Sequence, residues 1–169
     1  MPATYEKIAT TTLGSATSSI SFSSISSAYT DLRIILNVQN DGAAGNDVWL
    51  RFNSDTGTNY SSTLLFGDGS SATSFRRTSD TRILAYNFQG GATTSNTWGM
   101  AMIDVFSYAG STNKTVLSAV ALDYNGGGNS GRSVGLWRST SAITALSLTS
   151  SSANFNTGTT ATLYGILKA

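Results

Sequence analysis

DVWLRFNSDTGTNY, residues 47–60, holds a strand, a turn and the start of a second strand in one short segment. Val48, Leu50 and Phe52 alternate with Trp49, Arg51 and Asn53, the period of two that sends successive side chains to opposite faces of a sheet. Neither face is bland. With an aliphatic and aromatic set on one side and Trp49 and Arg51 on the other, one face belongs in a core and the other against a partner or a covering loop. Asn53 to Asn59 follows as a run of turn formers. Its side-chain oxygens suit nearby backbone N–H groups, and Gly57 accepts a positive φ at little cost.

The 169 residues fit one domain with room for one substantial core. Ser and Thr make up about 30% of the chain, a richness found in disordered segments, yet three Trp, seven Tyr and seven Phe are spread along it. That combination describes an ordered β protein with hydroxyl-rich outer faces. A net charge of +1 gives no general drive toward nucleic acid or an anionic membrane. No cysteine and no histidine occur, which removes thiolate nucleophiles, Cys-ligated zinc, the commonest general base and the commonest transition-metal ligand. The opening MPATYEKIATTTLG has neither the basic nor the apolar region of a cleaved signal, so synthesis in a cytoplasm without such export is expected. The sequons at Asn59 and Asn113 carry little weight in that setting.

Working outward, residues 1–17 hold one alternating patch, Tyr5 to Ile8, before TTTLGSATSS, and read as an N-terminal arm or an edge strand with a polar linker. Residues 18–169 form the β domain. Ile20, Phe22 and Ile25 mark a short strand. Asp31 to Asn40 is the cleanest one, with Leu32, Ile34, Leu36 and Val38 facing one way. Its short Gly-containing link to the 47–52 strand predicts an antiparallel pair. YSSTLLF (60–66) is a further strand, and 72–81, with Arg76-Arg77, reads as a solvated loop in preference to a phosphate or carboxylate contact. Strands follow at 82–89, 97–108 and 114–124, and small Gly99 and Ala101 predict close approach of another backbone. DYNGGGNSGR (123–132) is the tip of a long hairpin, and strands at 133–137, 142–148 and 160–167 complete the set. Many short strands with turn chemistry between them predict an all-β, antiparallel two-sheet sandwich, jelly-roll-like, with a short N-terminal arm.

Catalytic triads and His–metal sites cannot be built from these residues. Glu6 is the one glutamate and the aspartates fall at strand ends and loops, so no enzyme, no cofactor and no metal are expected. Asn53, Asp55 and Asn59 around Gly57 loosely follow a calcium loop, but a single carboxylate without a bidentate Glu favours an Asx-type turn.

Four segments carry a resemblance: ISFSSISSAYTDLRIIL (20–36), LRFNSDTGTNY (50–60), WRSTSAITALSL (137–148) and the ending LYGIL (163–167). Together they resemble the recurring pattern of small structural proteins of tailed bacteriophages, with residues 1–17 departing from it. The resemblance implies a Ser/Thr/Gly-rich β-sandwich on the virion, assembled in the host cytoplasm, either decorating the head or lying in a tail-fibre or receptor-binding position. It supplies no catalytic motif.

The resulting expectation is a capsid decoration or cement protein, a homotrimer that binds the major capsid protein or other virion proteins. A glycan-binding tail module is the alternative. Candidate contact residues are Trp49, Arg51, Trp98, Trp137 and Arg138, because Trp and Arg are enriched at interface hot spots, together with Tyr5 in the arm. For each Trp the competing reading is a place in the domain's own core. In the alternative, the same aromatics stack on a host sugar and Asn or Asp bonds its hydroxyls.

Overall fold

The computed structural model describes residues 4–42, 46–87, 97–124 and 126–167. Their strands are β1 (Tyr5–Thr12), β2 (Ser19–Phe22), β3 (Asp31–Val38), β4 (Asp47–Phe52), β5 (Tyr60–Gly67), β6 (Ala72–Asp80), β7 (Ile83–Asn87), β8 (Gly99–Phe106), β9 (Lys114–Asp123), β10 (Gly128–Trp137), β11 (Leu146–Ser150) and β12 (Thr160–Ile166). Eight form one sheet in the order β1-β12-β3-β8-β9-β10-β5-β6, and four form a second in the order β2-β11-β4-β7. Every pairing is antiparallel. The expected all-β, two-sheet sandwich is the observed fold.

Setting aside the hairpins β5–β6 and β9–β10, every step along the remaining eight strands crosses to the opposite sheet except β4 to β7, which pair within the smaller one, and the first strand lies beside the last. That is jelly-roll wiring. Both hairpins add to the larger sheet beyond β8, doubling its width on one side.

Alternation in the sequence becomes the core. Leu32, Ile34, Leu36 and Val38 of β3 are fully buried, as are Val48, Leu50 and Phe52 of β4 and Ala101, Ile103 and Val105 of β8. These side chains share one main cluster between the sheets. A second cluster forms on the other face of β4, where Trp49 meets Leu64 and Phe66 of β5, Leu84 of β7 and half-buried Phe75 of β6. The larger sheet therefore curls round β7, and its last hairpin covers the far face of the small sheet. Hydroxyls seal the seam: the Leu84 N–H donates to Ser62 Oγ at 3.0 Å, and Ser133 Oγ donates to the Leu84 carbonyl at 2.6 Å. This leaves the β7 edge partly bonded within the fold.

Three expectations are corrected here. β3 and β4 are not a hairpin, since they lie in opposite sheets, and β4 and β5 are likewise in different sheets. The links from β3 to β4 and from β4 to β5 are therefore crossings, the second made by the turn at 53–59. Residues 72–80 are the edge strand β6, not a solvated loop, paired with β5 through seven residues. Residues 5–12 are the edge strand β1, in register with β12 from Tyr5↔Ile166 to Thr12↔Thr160, so the edge-strand reading holds and the arm does not. Close approach over a small residue is found at β10. A methyl placed on Gly135 would lie 2.5 Å from Ile83 Cγ2. Residues 88–96, the end of the expected 82–89 strand and the link to the next, lie outside the described residues.

Lys114 is wholly buried at the start of β9. Its Nζ donates to the carbonyls of Gly110 (2.7 Å), Thr112 (2.5 Å) and Ser139 (3.5 Å), stapling two loops together. Burial pulls its pKa below the ordinary value.

Candidate interaction surface

The crossing at 53–59 is built from the residues singled out in the sequence. Asp55 Oδ1 accepts from the Gly57 N–H at 2.8 Å, the bond of an Asx turn. Asp55 Oδ2 accepts from Asn59 Nδ2 at 3.1 Å and from Trp137 Nε1 at 2.8 Å. These donors, the Trp137 indole first, hold the Asp55 carboxyl below its ordinary pKa. Asn53 takes a left-handed backbone (φ 49) and bonds the 142–145 segment: Nδ2 donates to the Ala142 carbonyl, and Oδ1 accepts from Thr144 and Ala145 N–H groups. All three residues of the calcium-like pattern are thus engaged with protein partners. Among the described residues, no group of three or more carboxylates is placed to hold a metal ion.

The contact candidates scatter. Trp137 is 2% exposed and packs with Phe52 (5.4 Å between centroids) and Tyr60 (6.1 Å). Trp49 is 4% exposed, with the guanidinium carbons of Arg77 and Arg82 at 4.7 and 4.4 Å from its ring centroid. Both indoles belong to the core of the chain, which removes them from its surface. Arg51 is half-buried and donates to the Thr81 carbonyl at 3.2 Å. Arg138 is exposed, but its Nη2 donates to the Thr58 carbonyl at 2.8 Å and braces the crossing loop. Trp98 and Tyr5 stay exposed, near opposite ends of the larger sheet.

A different surface emerges from the registers. Across the outer face of the larger sheet, one row runs Ile35, Met102, Ala119, Arg132, Leu65. The next runs Arg33, Asp104, Leu117, Val134, Thr63, and a third passes through Phe106, Thr115 and Leu136. On the far side Asn37, Met100 and Ala121 align. The face is thus apolar along its middle. Arg33 and Asp104 form a forked pair at 2.5 and 2.8 Å, and Arg33 Nη1 donates to the Tyr5 hydroxyl at 2.8 Å, tying β1 to the face. That pairing raises the Arg33 pKa further.

The large apolar side chains most exposed among the described residues are Tyr5, Leu65, Trp98, Met100, Phe106 and Val134. All six belong to this face. Sequence reasoning named Tyr5 and Trp98 and missed the rest, although apolar residues at both parities of the 114–124 strand were a signal that both its faces are covered or sticky. Comparison of the chain with known protein families, curated proteins and solved structures finds no match.

Proposed function

We propose that this chain is a non-enzymatic structural protein of a tailed-bacteriophage virion, a decoration or cement protein of the head. It docks on capsid protein through the outer face of the eight-stranded sheet and works as a closed homotrimer. The resemblance of four segments to such proteins suggests the setting. The observation that carries the docking role is that all six exposed large apolar side chains among the described residues lie on that one face, since exposed apolar surface concentrated on one face marks interaction sites.

The test pairs two charge substitutions on the face, Leu65→Glu and Val134→Glu, with attachment to capsids. Both sites are more than half or about half exposed, 56% and 50%, so the variant is expected to melt like the parent. Attachment is expected to be lost, and copies of the parent are expected over the head lattice by electron microscopy. Undiminished attachment, or copies confined to the tail, overturns the reading. Sedimentation giving a monomer at micromolar concentration removes the trimer.

A further inference from the structure

The two inserted hairpins bring their turns to the same end of the outer face. In the β5–β6 turn, Asp68 Oδ1 accepts from the N–H groups of Ser70 and Ser71, both at 2.8 Å, and Gly69 takes φ 90. The β9–β10 turn is closed by the Tyr124 N–H donating to the Gly127 carbonyl at 3.1 Å, with Gly126 at φ 146. Between these turns and the start of β8 lies a shallow open concavity of ≈ 870 Å³. Trp98 and Met100 supply its apolar wall, and Asn37, Asp68 and Asp123 its polar one. Gly69 and Gly126 add open backbone to its floor, with nothing within 4 Å of where a side chain would begin.

Trp98 is 37% exposed, whereas the other two indoles are buried. An exposed indole beside carboxylates and an amide suits a molecule with one apolar face and a rim of hydroxyl donors. Among the described lining residues none is basic, so the site offers no cation to a phosphate, sulfate or carboxylate. A sugar ring has the required shape and polarity. The concavity also falls within the usual size of small-molecule sites.

We propose that this concavity binds an uncharged oligosaccharide, with one ring stacked on Trp98 and hydroxyls donated to Asp68 and Asp123. The proposal does not depend on the assembly role, and because Trp98 and Met100 lie at one end of the outer face, a sugar and a docked capsid protein compete for that end. Of the three indoles that the sequence offers for sugar stacking, the proposal selects Trp98, the exposed one. The Asp68 carboxyl, held below its ordinary pKa by the Ser71 and Ser70 N–H groups, is a preformed acceptor.

Hexasaccharides of glucose, mannose, galactose and N-acetylglucosamine are the probes, with a sulfated hexasaccharide as the charged control. Trp98 is the exposed fluorophore of the three, so its emission reports occupancy, and saturation-transfer NMR gives a readout independent of the indole. Saturable binding of at least one neutral probe is expected, weakened at least tenfold in Trp98→Ala and partly restored in Trp98→Phe. Asp123→Asn is expected to weaken it severalfold, and this variant carries the test if Trp98→Ala fails to fold. No saturable signal with any of the four neutral probes overturns the proposal. So does binding unchanged in Trp98→Ala, or in Asp123→Asn where that variant carries the test, and so does preference for the sulfated control. Attachment to capsids is a separate measurement, so either idea can fail alone.

Discussion

Asp55 ties the first-read stretch to a strand far along the chain. Its Asx turn with Gly57 was legible from residue types alone, but its partner Trp137, 82 residues away, was not, because pattern reading carries no long-range pairing. Asp55→Ala strips a buried indole N–H of its acceptor and is expected to cost about 1–3 kcal/mol, read as a lower midpoint in urea. The carboxyl's depressed pKa sets a sign. Its stabilisation is present above the unfolded value near 4 and is lost as pH falls through the folded value, so Asp55→Asn is expected to flatten the acid fall in melting temperature. Lys114 is the opposite case, a buried cation satisfied by carbonyls. Lys114→Met leaves those carbonyls unpaired and is expected to destabilise by about 2 kcal/mol or more, with thermal melts as the measure.

Strand existence was readable wherever one face is buried, as in β3, whose alternation predicted its buried set residue by residue. It failed at β6. That strand lies at the margin of the sheet, where Phe75 and Arg77 alone of its middle residues turn toward the fold, so hydroxyls and arginines on both parities hide the period of two. Partner choice failed at β3–β4 for another reason: a short Gly-containing link serves a hairpin and a sheet-to-sheet crossing equally. The hairpins that build the candidate surface depend on close approach to β7. Gly135→Ala puts a methyl against the fully buried Ile83 and is expected to cost about 1–3 kcal/mol. Faster hydrogen exchange at the Leu84 amide, whose bond to Ser62 crosses the same seam, would check the mechanism.

For the molecule entire, β1 is part of the larger sheet. Deleting residues 1–14 strips the β12 edge of its ladder, so the truncated chain is expected to melt lower and to aggregate, in place of the folded, unattached domain that a free arm predicts. Size-exclusion chromatography distinguishes the two outcomes. Alkali probes the core as one unit. Burial pushes Tyr60 up to about 12 and raises Tyr86 and Tyr108, so their stabilisation is complete below the unfolded value near 10 and drains away as pH climbs toward 12. Tyrosinate absorbance is expected to appear together with unfolding in that window. The pairing of first and last strands also has a mechanical meaning. Tyr5 sits opposite Ile166, and the Leu167 N–H reaches the Thr4 carbonyl at 3.0 Å, so the two ends leave the fold side by side. A pull on both ends opens the β1–β12 ladder rung by rung like a zipper, at low force. A load entering across the broad outer face instead strains many ladders together, and the fold is tough in that direction and tearable in the other.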